Sequence, residues 1–263
     1  MLDFTDRVAV VTGAGSGIGA AVAEKLFRLH ANIELIARSE TNVAAAARRL
    51  DPALRQARFH VCDVRSEKEL IAVRDDILSS RGKIDVLVTC AAAGAAAGQA
   101  EEMSFETWRS IMETDLDGVF LTCKIFGACM IRGGYGRIVN MTSFHTIATY
   151  PYRVAYNAAK SGVEGLTRAL AVEWGRHGIT VNAVAPGPIR TPRTTWFLSQ
   201  SPDTEAGMLG RTPATRIGET DDVAALVAFL ASEEARHVNG QQIVIDGGWT
   251  KSAWWGDYTR EGS

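Results

Sequence analysis

Tyr156 and Lys160 stand four residues apart, a spacing that puts two side chains on one face of a helix. An ammonium beside a phenol favours the phenolate, so the pair has the parts needed to pass a proton to or from a substrate oxygen. Ser143 lies upstream, at the end of Arg137-Ile-Val-Asn-Met-Thr-Ser143, which reads as a strand. A hydroxyl there is placed to hydrogen-bond the oxygen of a bound carbonyl or alcohol. Tyr-x-x-x-Lys is common by chance, so this chemistry stands or falls with the elements around it.

The start of the chain supplies the first of those elements. Arg7-Val-Ala-Val-Val-Thr12 reads as a short buried strand and runs into Gly13-Ala-Gly15-Ser16-Gly17-Ile18-Gly19. Ala20 to Leu29 then carries Val22, Leu26 and Leu29 at helical spacing. Strand, glycine turn and helix, in that order, make a dinucleotide site: glycines admit the pyrophosphate, and the helix N-terminus attracts it. A second strand, Asn32 to Ala37, ends at Arg38. An acid near this strand end takes the ribose hydroxyls of NAD, whereas an arginine suits the 2′-phosphate of NADP. Ala37 fills the acid's place, so NADP(H) is the expected preference, with NAD(H) possible. A third strand, Arg58 to Cys62, is closed by Asp63-Val64. Asp63 either accepts from the adenine amino group or caps the helix that begins near Ser66, where Glu69 completes a capping-box pattern.

The remaining elements alternate in the same way. Lys83 to Thr89 is a strand followed by Cys90-Ala91-Ala92, and Phe105 to Met130 is helical with a break around Leu116 to Gly118. Val119 to Met130 is apolar nearly all round, which implies burial against the sheet and against another subunit. A helix runs from Tyr156 to about His177, and a strand from Ile179 to Val184 ends at Ala185-Pro186-Gly187-Pro188. Residues 190–215, with Trp196, Phe197 and Met208, read as a mobile, partly apolar substrate lid. Asp222 to Ala231 is a helix capped by Thr220 and Asp221, and Gln242 to Asp246 is the last strand. The aromatic tail, 249–263, holds Trp254, Trp255 and Tyr258 and is expected to dock. The alternation predicts an α/β fold: one Rossmann-like domain over residues 1–263, a doubly wound parallel sheet with helices on both faces.

Composition narrows the function classes. A net charge of -2 with scattered Lys and Arg offers no polycationic face for nucleic acid. No apolar run approaches the roughly 20 residues of a membrane span, and Met1 to Arg7 has no signal-like apolar core, so a cytoplasmic location is expected. Cys62, Cys90, Cys123 and Cys129 show no metal-ligand spacing and read as free buried thiols, with no metal expected.

Taken together, Thr12-Gly13-x-x-x-Gly17-x-Gly19, Asp63, Ser143, Tyr156-x-x-x-Lys160 and Pro186-Gly187 resemble the short-chain dehydrogenase/reductase family from about Phe4 to Gly248. The resemblance implies interconversion of a ketone and a secondary alcohol. It makes Tyr156 the general acid/base, Lys160 its activator and a ligand of the nicotinamide ribose, and Ser143 the donor to the carbonyl. It assigns Gly13, Ser16, Gly17, Ile18, Gly19, Arg38, Asp63, Val64, Ala91, Pro186 and Gly187 to the cofactor, with Ile189 and Thr191 at the carboxamide. Two residues depart from the family pattern. Thr89-Cys90-Ala91-Ala92 replaces the usual Asn-Asn-Ala-Gly, and Asp115 replaces an Asn that helps hold a proton-relay water. An ionised Asp115 near Lys160 would stabilise the ammonium. Reductases that read an acyl carrier protein carry cations on two helices at the site entrance. Arg132 suits one of those places, but Ala171-Val172-Glu173 offers none at the other, which leans toward a free small substrate such as a polyol or sugar alcohol over a 3-oxoacyl thioester. His145 and Tyr152 are further pocket candidates. A homotetramer or dimer is the family's habit, and a non-catalytic dinucleotide sensor is the alternative from another class.

Overall fold

A computed structural model describes residues 2–94, 97–199, 202–253 and 257–259. Seven strands form one sheet: β1 (Val8–Thr12), β2 (Asn32–Ala37), β3 (Ala57–Val61), β4 (Val86–Thr89), β5 (Gly136–Met141), β6 (Ile179–Pro186) and, last in the chain, β9 (Gln242–Ile245). Two-residue strands β7 (Ile189–Arg190) and β8 (Gly218–Glu219) pair separately. The helices are α1 (Gly17–Arg28), α2 (Glu40–Leu50), α3 (Glu67–Arg81), α4 (Phe105–Met112), α5 (Gly118–Gly133), α6 (Val154–Trp174), α7 (Pro192–Leu198), α8 (Pro202–Arg211) and α9 (Thr220–Leu230).

The sheet order is β3-β2-β1-β4-β5-β6-β9, and every pairing is parallel. The chain winds one way from β1 to β3 and the other way from β4 to β9. The switch between β1 and β4 opens a crevice at the strands' carboxyl ends, where open α/β sheets bind ligands. Register makes that edge level, because Thr12 pairs with both Ile36 and Thr89, and Thr89 with Asn140. Successive residues of one strand face opposite cores. Val11 joins Leu26, Leu35 and Val227 under α1 and α9, and Val10 joins Leu87, Phe126 and Trp174 under α3, α5 and α6.

Several local expectations are corrected. Helix α2 starts at Glu40, not Asn42, because Ser39 Oγ accepts from the Asn42 N–H. Ser66 does cap α3 by accepting from the Glu69 N–H, but Glu69 receives the Asp63 N–H instead of closing a box on Ser66. Helix α9 begins at Thr220, not Asp222, because Glu219 and Asp222 form a reciprocal capping box where the sequence suggested Thr220 and Asp221 as caps. The break around Leu116 is a turn of π-helix, Glu113–Asp117, that joins α4 to α5. The lid region is mostly helical, as α7 and α8, and the side chains of Trp196 and Phe197 lie outside what is described. The start of the tail docks: Trp249 is buried, the Tyr258 N–H donates to Gly210 O, and Tyr258 Oη bonds Ser252 Oγ. Trp254 and Trp255 lie outside the described residues.

Candidate active site

The strand edge and the loops above it enclose a cavity of about 680 Å³. Its floor is the glycine turn. Gly13 has φ of 66°, and a Cβ on it would sit 2.7 Å from the Cys90 carbonyl, so only glycine lets the β1 and β4 loops meet. A Cβ on Gly19 would lie 2.4 Å from Gly13 O, which locks α1 against the same turn. Ser16 ends the turn in extended geometry without a side-chain cap on α1, and no acid occupies the first turn. The N–H groups and positive dipole end of α1 therefore face the cavity unopposed, which fits a pyrophosphate.

Most of the expected cofactor residues line this one cavity: Gly13, Ser16, Gly17, Ile18, Gly19, Arg38, Val64, Ala91, Pro186, Gly187, Ile189 and Thr191. Asp63 is not among them. Its carboxylate faces Arg65 at 2.6 Å, and Arg65 holds it below the usual carboxylate range, so its charge is already taken. Its neighbours Cys62 and Val64 line the cavity in its place. Thr191 is fixed by capping α7, since the Thr194 N–H donates to its Oγ1 at 3.1 Å.

At the far end of the cavity stand Ser143, Tyr156 and Lys160. Ser143 follows β5 and starts a 3-10 turn, its Oγ accepting from the His145 N–H at 3.3 Å. Helix α6 presents Tyr156 and, one turn later, the buried Lys160. The Lys160 ammonium donates to Met141 O at 3.2 Å and lies 5.7 Å from the Tyr156 ring centroid. Holding a buried cation against a carbonyl at the end of β5 keeps its charge beside the phenol. His145 packs edge-on against Tyr156 at 5.5 Å, and burial, aided by the charge of Arg153, pushes its pKa down to about 4, so it is neutral near pH 7. Phe144, Tyr150 and Trp249 complete an aromatic wall. His145 lines the cavity as expected, whereas Tyr152 turns outward, 57 % exposed, and Tyr150 and Arg153 take its place.

Asp115 is fully buried in the π turn and does not line the cavity. Its Oδ1 accepts the Ala93 N–H at 2.7 Å, which fixes the loop that follows β4. Its Oδ2 is buried without a hydrogen-bond partner, and the Lys160 ammonium donates to Met141 O instead. The direct ion pair that the sequence suggested is thus replaced by a loop contact. The turn packs on α6 through Leu116 against Gly162, which links Asp115 to the helix that carries Tyr156 and Lys160. Asn in its place keeps the Ala93 bond and removes the charge. Asp115→Asn is therefore expected to move the proton-transfer limb of the pH–rate profile to lower pH, because a nearby negative charge opposes phenolate formation. Superimposable profiles would limit Asp115 to shaping the loop.

The thiols take no part in this chemistry. All four cysteines are free, and burial pushes Cys62, Cys90 and Cys123 up to about 12. Arg132 sits near the end of α5, at the edge of the sheet opposite the cavity, so it does not flank the entrance. Gly15 of the glycine run and Met208 of the lid region also line the cavity, as does Asn42, which carried no local signal in the sequence.

Known proteins resemble the chain over nearly its whole length. Residues 13–250 match the family described as enoyl-(acyl carrier protein) reductase. D-threitol dehydrogenase of Mycolicibacterium smegmatis is 37% identical over 246 residues, 93% of each chain. NAD-dependent glycerol dehydrogenase of Listeria innocua is 36% identical over 255 residues, 94% of this chain and 95% of that protein. A gluconate 5-dehydrogenase from Burkholderia cenocepacia, solved in complex with NADP and tartrate, superposes with a TM-score of 0.90 at 31% identity, over 96% of this chain and 98% of that one. With a parallel sheet that switches at β1 and β4 and a glycine turn beneath one cavity, the chain belongs to the short-chain dehydrogenase/reductase family, enzymes that oxidise CH–OH groups or reduce the corresponding carbonyls with a nicotinamide cofactor.

Proposed function

We propose that the chain is an NADP(H)-preferring oxidoreductase that interconverts a small ketone and its secondary alcohol. The observation that carries this reading is the convergence of Ser143, Tyr156 and Lys160 on the cavity that the glycine turn floors. A bound nicotinamide cofactor supplies or accepts the hydride. The chain's own residues supply position and the proton. Ser143 Oγ donates a hydrogen bond to the substrate oxygen and orients it toward Tyr156. In reduction the Tyr156 hydroxyl donates its proton to that oxygen, and in oxidation the phenolate takes it back. Lys160, held on Met141 O, stabilises the phenolate in either direction.

Arg38 is exposed at the end of β2, on the cavity wall, and no Asp or Glu lines the cavity beside it among the described residues, which supports a cofactor carrying a 2′-phosphate. The names of the threitol and glycerol dehydrogenases support a small hydroxylated substrate. Arg132 does not line the cavity and Ala171-Val172-Glu173 carries no cation, which argues against docking of an acyl carrier protein. Phe105, Phe120 and Val172 are exposed on α4, α5 and α6. An apolar surface of this kind supports a homo-oligomer. The test is a set of initial rates on ketones and secondary alcohols with NADP(H) and NAD(H) at equal concentration. Faster rates with NADP(H) are expected, and equal rates would remove the role of Arg38.

A further inference from the structure

The ends of β2 and β3 stand side by side at the cofactor end of the cavity. Ala37 pairs with Val61, and the Cys62 N–H donates to Ala37 O at 3.1 Å. The residues that follow, Arg38 after β2 and Asp63 after β3, therefore come close together. Arg38 lines the cavity, as do Cys62 and Val64 on either side of Asp63. A carboxylate in this position can act against a 2′-phosphate in two ways. It can pair with the Arg38 guanidinium, and it can repel the phosphate directly. Arg38 is within electrostatic reach, because its charge helps to hold the Asp63 carboxyl below its usual range.

Arg65 takes that carboxylate instead. Its Nε lies 3.1 and 3.0 Å from the two oxygens of Asp63, and its Nη2 lies 2.6 Å from Oδ2. The Arg65 backbone N–H adds a further bond to Oδ1 at 3.0 Å. A guanidinium fork matches a carboxylate in this two-handed way, which an ammonium does not. Glu69, the neighbouring acid, accepts the Asp63 N–H at 2.9 Å. Both side chains of the Arg65–Asp63 pair are partly exposed, and pairs of that kind add little to stability. The consequence of the pairing lies in which cation Asp63 occupies.

Resting on the NADP(H) reading above, we propose that Arg65 is a positioning residue for cofactor choice: by occupying the Asp63 carboxylate it leaves the Arg38 guanidinium to the 2′-phosphate of NADP(H). Arg65 acts through Asp63 and takes no part in hydride or proton transfer.

The test is a fluorescence titration of NADPH and of NADH into the wild type, Arg65→Met, Asp63→Asn and the double variant. The two cofactors share one adenine, so a change in adenine contact cancels in the ratio of their dissociation constants. The wild type is expected to favour NADPH. Arg65→Met should cut that preference by about 10-fold, the scale of one charged hydrogen bond, with NADH affinity near the wild-type value. Asp63→Asn alone should keep the preference. The double variant should restore it, because an amide neither forms an ion pair with Arg38 nor repels the phosphate. A preference that Arg65→Met leaves unchanged overturns the proposal. So does a double variant with as little preference as Arg65→Met, a result that would make Arg65 itself a ligand of the phosphate. Either result, with the wild type favouring NADPH, leaves the NADP(H) reading standing. Equal affinities in the wild type remove that reading and this proposal together.

Discussion

Tyr156→Phe is expected to lower kcat by about 100- to 10,000-fold, the range over which a positioned acid or base contributes, while leaving cofactor affinity near the wild-type value. The loss follows from the site's composition. Cys90, His145 and Tyr150 also stand at this end of the cavity, but burial holds Cys90 as a thiol despite the nearby Lys160 charge, keeps His145 a neutral imidazole near pH 7 and raises the Tyr150 phenol above its ordinary range. The phenylalanine ring keeps the edge-on contact with His145 and the packing at the start of α6, so folding should be little changed. Steady-state rates together with a fluorescence titration of NADPH separate the two effects. Substantial activity in this variant would remove Tyr156 from the chemistry.

The second large effect is expected at Gly19. A methyl group there meets Gly13 O at 2.4 Å and the Gly13 carbonyl carbon at 2.8 Å, both backbone atoms. Neither can yield without opening the turn, because Gly13 is itself wedged against the Cys90 carbonyl. Overpacking of this kind costs about 1–3 kcal/mol, and the displaced turn no longer presents the N-terminus of α1 to the pyrophosphate. Gly19→Ala should therefore lower the melting temperature and weaken NADPH binding by about 100-fold or more, since about 2.7 kcal/mol corresponds to that factor. Gly133→Ala, at the end of α5 where a Cβ meets nothing within 4 Å, is the control and should do neither. Normal NADPH affinity in Gly19→Ala would mean that the turn does not carry the cofactor.

The parts of this molecule that were legible in the sequence are those fixed by local rules. Val8 to Thr12, the glycine turn and α1 follow from burial, positive φ and helical spacing within one short stretch. Tyr156 and Lys160 follow from helix geometry, and the parallel sheet follows from alternation. What stayed hidden depends on contacts distant in sequence or on competition between neighbours. Asp63 was read toward the adenine, but Arg65, only two residues away in the chain, takes its carboxylate. Asp115 was read toward Lys160, but the Ala93 N–H reaches its Oδ1 first. The lid reads as a proline-broken loop, yet Pro192 and Pro202 each stand at the first position of a helix, where proline is favoured.

The central claim is that Ser143, Tyr156 and Lys160 serve hydride exchange between a nicotinamide and a carbonyl carbon. Its most direct test follows the label from NADPH deuterated at the reactive nicotinamide carbon into the alcohol formed from a ketone that the protein reduces. Product carrying one deuterium on the carbinol carbon, formed by the wild type and nearly absent with Tyr156→Phe, is the expected result. Unlabelled alcohol, or equal label incorporation by the two proteins, would contradict it.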